Sequence, residues 1–393
     1  MPNINQIYEL VNLTTKELLG EEYIVAEDLS NIVDIGKDIG NLEDGMQTFK
    51  SKLIDRIGMT QFVDRVYTGY APKIKKTSFE YGSILQKIFT RLPDATVNED
   101  WELENGTSYD PFVYNGAEGV TKLWNKYVTF EIDRSIQDYQ LKSAFKDALA
   151  MGGFISMIWN EIDKSFTAKM DELIMRLINN CVLDTVQSEL ATGETLATHT
   201  GAKAVNLLKL FKDKYQPEYT ITADNCIYNE DFLRFANNII RLRSSQMTAL
   251  STQFNMGGEA RFTPTANQHL VLLSQFASAF NTYLYSGTYN EEYVKLPSCE
   301  TVPHWQGIKT NSTSLDIGAT GTIIGNTETN TGEFTMTGVV GVLFDNDTIG
   351  VYNDRRTINS QYNPKASFTN YFVKEKVGYF ADYNENFVVF YVA

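Results

Sequence analysis

Residues 154–190 read FISMIWNEIDKSFTAKMDELIMRLINNCVLDTVQSEL, and this stretch decides the fold. Its apolar side chains recur in steps of one, three or four residues, which is the spacing of one face of an α-helix. They are Ile155, Ile158, Trp159, Ile162, Phe166, Met170, Leu173, Ile174, Leu177, Ile178 and Cys181. The pattern predicts an amphipathic helix from about Phe154 to Leu190, directly after Gly152-Gly153, of about 37 residues and roughly 55 Å. Few single-domain enzymes need a helix of this length.

The composition around this helix is that of a folded protein. The chain has 393 residues, of which 43% are hydrophobic and 21% charged, so two or three domains or one large fold are expected. The formal net charge of −15 repels phosphate, which argues against sequence-specific nucleic-acid binding. Aromatic residues reach 12%, which favours a protein with much contact surface.

Targeting and redox features are sparse. Cys181, Cys226 and Cys299 show no CxxC spacing, and no disulfide framework is expected. The start of the chain has no signal-peptide pattern, which predicts synthesis in a cytoplasm. The longest nearly apolar run, from Ala148 to Trp159, is too short for a membrane span, which needs roughly 20 residues.

The first sixty residues predict a polar arm with short helices, marked by Ile7, Leu10 and Val11 and again near residues 49–57. Asp28 to Asp44 contains too few apolar residues to form a core alone. We expect this arm to lie against a host surface, for which a neighbouring subunit is one candidate.

Charge is segregated in the segment after the arm. Strand-like runs occur at 77–81 and 127–132, with a polar loop between them. Basic residues come first and acidic residues follow, with only Glu80 among the bases: Lys73, Lys75, Lys76, Lys87 and Arg91, then Asp94, Glu99, Asp100, Glu102 and Glu104. One interpretation is a solvated hairpin whose charges neutralise each other locally. The other is a projecting hairpin that contacts an identical neighbour through opposite charges, which makes these ten residues candidates for inter-subunit contact.

The remaining chain mixes helices and strands. Helices are predicted at 202–214, 229–242 and 275–284, a buried strand at 269–273, and a loop or edge hairpin at 310–337. From Gly338 onwards strands dominate, at 339–344, 349–352, 368–377 and 387–392. The last run is continuously apolar, which is typical of a strand buried on both faces.

Catalytic and ligand-binding patterns are weak throughout. His199, His269 and His304 have neither triad nor metal-ligand spacing, and no phosphate-binding glycine loop occurs. The calcium-like run at 345–347 lacks suitable ligands at Ile349 and Arg356, so a turn is predicted there. We therefore expect no catalytic, cofactor-binding or metal-binding residues.

The order of parts resembles the Hong Kong 97-type fold of tailed-phage major capsid proteins, an α+β fold with an N-terminal arm, an extended E-loop β-hairpin, a P-domain on a long spine helix, and a mixed α/β A-domain. Three short stretches are similar to capsid proteins of small short-tailed phages of the phi-29 kind: residues 53–58, residues 135–138 with 141–145, and residues 343–347 with 351–353. The resemblance implies an arm at 1–62, an E-loop with flanking strands at 63–134, a P-domain at 135–200, an A-domain at 201–337, and terminal strands at 338–393 that return to the P-domain.

The resemblance also implies a function. Copies are expected to form the pentamers and hexamers of an icosahedral head that encloses double-stranded DNA, with no enzymatic activity and no cofactor. Expected partners are the chain itself, a separate scaffolding protein, a portal protein and possible minor capsid proteins, with weak, sequence-independent DNA contact and no membrane. The location is the virion capsid, after assembly in the bacterial host cytoplasm. No appended immunoglobulin-like domain and no residues matching the cross-linking motif of some relatives are recognised.

Two alternatives remain open from the sequence. One is an encapsulin-like shell of a bacterial nanocompartment, and the other is a cytoplasmic hydrolase that uses Glu102 or Glu104. Under the capsid hypothesis, reversing Lys75, Lys76 and Lys87 to Glu is predicted to lower assembly while the monomer stays folded.

Overall fold

A computed structural model describes residues 4–20, 25, 31–41, 48–49, 52, 69–74, 85–93, 95, 104–106, 108, 112, 114, 116–137, 148–215, 220–285, 297–306, 316–326 and 333–393. The α-helices are α1 (Ile4–Leu19), α2 (Ile32–Asn41), α3 (Ala148–Glu189), α4 (Leu207–Tyr215), α5 (Glu230–Gln246), α6 (Ser274–Phe280) and α7 (Ile317–Thr320). The strands are β1 (Leu85–Thr90), β2 (Gly119–Trp124), β3 (Tyr127–Gln137), β4 (Ala204–Asn206), β5 (Gln268–Leu273), β6 (Glu300–Val302), β7 (Ile323–Asn326), β8 (Glu333–Met336), β9 (Val339–Asp345), β10 (Ile349–Asn363), β11 (Phe368–Ala381) and β12 (Phe387–Tyr391). No helix within these segments is long and apolar enough to cross a bilayer.

The long helix α3 confirms the spine predicted from the sequence. It has 42 residues, about 63 Å at 1.5 Å per residue. It begins at Ala148, six residues earlier than predicted, because it continues through Gly152 and Gly153. Each glycine costs up to about 1 kcal/mol relative to alanine inside a helix, a cost that packing along so long an element outweighs.

A five-stranded sheet of order β4-β12-β9-β5-β6 forms the centre of the main core. Every residue of β9 and β12 is buried, which confirms that the apolar run at the end of the chain is covered on both faces. The prediction of a helix from Ala202 was wrong at its start, because Ala204–Asn206 pairs in parallel with β12 as strand β4. The helix predicted to reach Leu284 ends as an α-helix at Phe280 and continues as one π-helical turn, Asn281–Tyr285.

A second sheet contains the long strands β10, β11 and β3, all antiparallel, with β11 in the middle. The strands predicted after Gly338 are therefore divided between two sheets, because β9 and β12 join the five-stranded sheet while β10 and β11 join β3. In the β10–β11 pair, Gly350 lies opposite Phe380 and Gly378 lies opposite Tyr352, so an aromatic ring covers each glycine from the other strand.

The N-terminal arm packs on its own chain. Its helices α1 and α2 join a second apolar cluster with the first half of α3 and the three-stranded sheet. The cluster contains Val11, Val25, Ile35, Ile39, Phe49, Ile136, Ile158, Ile162, Phe166, Tyr371 and Val373. For these residues of the arm, the host surface expected from the sequence is therefore another part of the same chain.

The segment predicted to be a polar loop between two strands contains a β-hairpin. Strands β1 and β2 pair in antiparallel fashion from Leu85 opposite Trp124 to Thr90 opposite Gly119. The strand predicted at 127–132 is confirmed within β3, while the one at 77–81 lies outside the described residues. A hairpin was expected in this region, but its strands β1 and β2 were not identified, because a six-residue strand carries only a short alternating pattern and here lysines interrupt it.

Candidate functional site

The β1–β2 hairpin has two different faces. Exposure alternates along both strands, so side chains point by turns towards the body of the protein and towards solvent. The half-buried inward face consists of Leu85, Lys87, Phe89, Val120, Lys122 and Trp124. The exposed outward face consists of Gln86, Ile88, Thr90, Thr121 and Leu123. A half-buried face that includes two lysines needs carboxylate partners.

Both inward lysines bind the same carboxylate. Lys87 Nζ lies 2.8 Å from Oδ2 of Asp382, and Lys122 Nζ lies 2.7 Å from Oδ1 of the same residue. The Asp382 side chain is 0% exposed. Lys87 also lies 2.5 Å from Oε1 of Glu385. One buried aspartate therefore holds one lysine from each strand of the hairpin.

The pKa values of Asp382 and Lys87 favour their charged forms. Burial raises the pKa of Asp382, but the hydrogen bonds from Lys122 and Lys87 outweigh it and leave the pKa below the ordinary value. Burial likewise lowers the pKa of Lys87, but the hydrogen bonds to Asp382 and Glu385 outweigh it and leave the pKa above its ordinary value. Each partner thus stabilises the ionised state of the other despite partial desolvation.

A second set of contacts surrounds the cluster. The Arg261 guanidinium lies over the ring of Phe89 at 4.3 Å and its Nε lies 3.5 Å from Oε1 of Glu385. Arg91, just beyond β1, contacts Glu259 at 3.1 Å and Glu118 at 3.2 Å. The contacts of Phe89 with Arg261 and of Arg91 with Glu259 attach the hairpin to the loop that precedes β5, whereas the Arg91–Glu118 pair joins the two ends of the hairpin itself.

The aspartate sits in a turn whose backbone is held by its surroundings. Residues 382–386, which we name the junction turn, connect β11 of the three-stranded sheet to β12 of the five-stranded sheet. The Asp382 N–H donates to the carbonyl of Thr348 at 2.7 Å, and the carbonyl of Tyr383 accepts from Met256 and Gly257 at 3.1 and 3.0 Å. The backbone of the junction turn is therefore held by the turn between β9 and β10 and by the loop that precedes β5.

The structure describes four of the ten charged candidates from the sequence. Lys87 and Arg91 have carboxylate partners within the chain. Lys73 is exposed, and its backbone N–H donates to Oε2 of Glu300 at 2.9 Å, while Glu104 is exposed. The other six lie outside the described residues: Lys75, Lys76, Asp94, Glu99, Asp100 and Glu102. Inter-subunit contact stays a prediction for all ten.

Sequence reasoning missed most residues of the ion cluster between the hairpin and the junction turn. Lys122, Arg261, Asp382 and Glu385 were not among the candidates, although they form the most concentrated ion network that the structure describes around the hairpin. The available signal was small: two acids within the four-residue run Asp382–Glu385, between two strands.

Two histidines lie in packed, polar surroundings. His199 is buried, with Nδ1 3.0 Å from Glu194 Oε2 and Nε2 3.6 Å from Glu189 Oε2. The hydrogen bond with His199 lowers the pKa of Glu194. The ring of His304 lies 5.1 Å from that of Tyr70, and burial lowers the pKa of His304. The Tyr70–His304 contact joins segments that are distant in sequence, whereas His199 and its two glutamates belong to the end of α3 and the segment that follows it.

The third histidine lines a cavity of about 440 Å³ beside β5. His269 Nε2 lies 3.3 Å from Oε2 of Glu300, and its ring lies 5.2 Å from that of Phe344. Cys299 also lines this cavity, but burial raises the pKa of its thiol, which disfavours the nucleophilic thiolate. Within the described ranges, no three His, Cys, Asp or Glu side chains are grouped to hold a metal ion.

Comparison with known proteins adds a family match. Residues 11–391 match the family model described as Phi29-like phage major capsid protein. Among solved structures, the chain is similar to one from the structure of head fiber and inner core protein gp22 of native bacteriophage P68, with 8% identity, a TM-score of 0.51, and coverage of 85% of this chain and 87% of that chain. It also matches the capsid structure of Staphylococcus phage Andhra, with 9% identity, a TM-score of 0.47, and coverage of 85% and 87%. No curated protein matches the sequence. The P68 likeness shows a shared fold.

Proposed function

This chain belongs to the family of phi29-like phage major capsid proteins, and we propose that its copies assemble as pentamers and hexamers into an icosahedral head around double-stranded DNA. The observation that carries the conclusion is the family match, which spans residues 11–391 and therefore nearly the whole chain. It confirms the resemblance found in the sequence and favours a phage capsid protein over an encapsulin-like shell or a hydrolase. Capsid membership indicates a structural role, and we propose that the chain has no enzymatic activity.

We propose that the outward face of the β1–β2 hairpin contacts a second copy of the chain. Ile88 is 68% exposed and Leu123 63%, although both are large apolar residues. Because Ile88 pairs with Thr121, Leu123 is its diagonal neighbour across the strands, and the two side chains lie on one face. The charged side chains of the opposite face already have partners within the chain, so the apolar side is the one left for an interface.

The charged candidates then divide into two groups. Lys87 and Arg91 hold their own hairpin through Asp382, Glu118 and Glu259. For the remaining eight we propose contact with neighbouring copies. Reversing Lys87 to Glu would place a third carboxylate beside Asp382 and Glu385, so the triple reversal proposed from sequence tests hairpin attachment as well as assembly. The double variant Lys75→Glu, Lys76→Glu is the cleaner test of intermolecular charge pairing.

The wider organisation follows the capsid family. We propose the arm at 1–62, the E-loop region at 63–134, the P-domain at 135–200, the A-domain at 201–337 and the terminal strands at 338–393. We further propose assembly in the bacterial host cytoplasm with a scaffolding protein, a portal protein and possible minor capsid proteins. The net charge of −15 supports weak, sequence-independent contact with packaged DNA.

Assembly of purified protein tests the function. Wild-type protein is expected to elute from a sizing column as large particles and to show rings or shells in negative-stain micrographs, with scaffolding protein added if needed. The double variant Ile88→Thr, Leu123→Thr is expected to reduce the particle fraction while its circular dichroism spectrum is unchanged.

The matched control is Leu250→Thr, since Leu250 is a 52% exposed leucine outside the hairpin. It should assemble better than the hairpin double variant. A wild-type chain that remains a monomer at high concentration, with or without scaffolding protein, would refute the shell function. Normal assembly of the Ile88 and Leu123 double variant would refute only the role of the hairpin face.

A further inference from the structure

We propose that Asp382 is a positioning residue for shell assembly, which holds the β1–β2 hairpin in the orientation that presents its outward face to a second copy. The proposal rests on the proposed function, because it assumes that the outward face is an interface. It adds a specific part of the chain, the junction turn, that sequence reasoning did not connect with assembly.

The first argument is the arrangement of the two lysines. Lys87 and Lys122 lie directly opposite each other in the β1–β2 register and on the same face. Like charges in this relation destabilise a strand pair. Asp382 accepts a hydrogen bond from each ammonium group, one on each carboxylate oxygen. Its negative charge offsets the repulsion between the lysines, and the two bonds attach both strands to the junction turn. The hairpin therefore depends on the junction turn for its own stability as well as for its position.

The second argument is geometric. Each strand of the hairpin is bound to Asp382 through one lysine, Lys87 on β1 and Lys122 on β2. A single ion pair would let the hairpin rotate about it, whereas two attachments on adjacent strands oppose that rotation. Since side chains alternate between the faces, fixing the inward lysines also fixes where Ile88 and Leu123 point.

The third argument is the balance of charge. Three cations, Lys87, Lys122 and Arg261, meet two carboxylates, Asp382 and Glu385. Neutralising Asp382 would leave all three cations around a single carboxylate, and Lys122 would lose its nearest anion. Removing one partner of a buried pair is far more disruptive than removing an exposed one.

The fourth argument is that the carboxylate is held in place by the turn itself. Its Oδ1 accepts the N–H of Asn384 at 3.1 Å, and the N–H of Asp382 donates to Thr348 at 2.7 Å. These bonds involve only the body of the protein. The carboxylate of Asp382 is therefore already in place, and little conformational entropy is lost when the hairpin lysines bind it. Outside this cluster, the Arg91–Glu259 pair involves a half-exposed arginine and is screened by salt, and the ring of Trp124 lies 5.1 Å from that of Phe380 without fixing either lysine.

The test uses the full-length Asp382→Asn variant, which keeps the size of the side chain and removes its charge. Limited trypsin digestion reports directly on the hairpin, because trypsin cleaves after Lys87 and Lys122. Cleavage at these two sites is expected to rise at least about tenfold relative to wild type, and particle yield to fall, while the total helix and sheet content measured by circular dichroism is unchanged. The matched control is Glu131→Gln, which removes the exposed partner of Lys374, 3.2 Å away in the three-stranded sheet. It should change neither readout.

Lysine variants keep the proposal falsifiable if Asp382→Asn does not fold. Lys122→Met should raise cleavage after Lys87, and adding Asp382→Asn to it should raise that cleavage less than Asp382→Asn does alone. Unchanged hairpin cleavage in both variants, or a released hairpin with normal assembly, would overturn the proposal. Failure of the wild type to form particles would instead refute the shell function, and the cleavage measurement would still decide whether Asp382 holds the hairpin.

Discussion

The hydroxyl of Tyr383 donates a hydrogen bond of 2.6 Å to Oδ2 of Asp184, which joins the junction turn to the long helix α3. The carboxylate of Asp184 lies in the buried half of that helix. Tyr383 directly follows Asp382, the residue that binds both hairpin lysines. The hairpin, the junction turn and the spine helix are therefore connected through two consecutive residues of the turn, Asp382 and Tyr383.

Tyr383→Phe should destabilise the protein, because it removes a donor from a buried carboxylate. The expected loss in the free energy of unfolding is about 1–3 kcal/mol, measured by urea denaturation. Tyr283→Phe is the control, since Tyr283 is partly exposed and its ring packs edge-on against Tyr228. Equal effects of the two substitutions would contradict a special role for the Tyr383–Asp184 bond.

Gly378→Ala should also destabilise the protein. A Cβ at Gly378 would lie 2.1 Å from the ring of Tyr352, its cross-strand partner, and that ring is buried. We expect a loss of about 1–3 kcal/mol in the free energy of unfolding, because the packed ring must move. Gly119→Ala is a matched control on β2, where nothing lies within 4 Å of the added carbon. If both variants unfold at the same urea concentration, the aromatic cover over Gly378 does not constrain the sheet.

The contribution of the ion cluster should be constant between about pH 5 and pH 9. The pKa of Asp382 is below its ordinary value of 3.8, since the hydrogen bonds from Lys122 and Lys87 outweigh burial, so its stabilisation is present above that value and lost as pH falls further. The pKa of Lys87 is above 10.5, so its stabilisation is present below that value and lost as pH rises through the folded pKa.

Urea titrations of wild type and Asp382→Asn across this range provide the measurement. The difference in the free energy of unfolding between the two proteins should not change from pH 5 to pH 9 and should shrink towards pH 3. A difference that varies near neutral pH would show that another group controls the cluster.

Cys226 should be unreactive in the native protein. Burial raises the pKa of its thiol to about 12, so at pH 8 only about one molecule in ten thousand carries the reactive thiolate. In a Cys299→Ser variant, a thiol reagent is expected to label the native protein very slowly and to label Cys181 and Cys226 once urea is added, because both are buried. Rapid labelling of Cys226 without denaturant would show that the core around it opens readily.

The sequence by itself determined the elements whose signal is local and repeated. The three-to-four-residue spacing from Ile155 to Cys181 predicts α3, and the apolar runs at 339–344 and 387–392 predict β9 and β12. Together with their order along the chain, these elements led to the correct capsid family. Such elements can be predicted because each apolar residue repeats the same spacing along the chain, so the evidence for one buried face increases with every position.

The tertiary structure alone decided which charges meet. Lys87 and Asp382 are 295 residues apart, and no periodicity relates a lysine in a six-residue strand to an aspartate in a turn. The same holds for β4, which forms a strand only because β12 lies beside it, and for the arm, whose host surface consists of α3 and the three-stranded sheet. A single ion pair depends on the position of two side chains after the whole chain has packed. The attachment of Lys87 and Lys122 to Asp382 therefore exists only in the folded molecule.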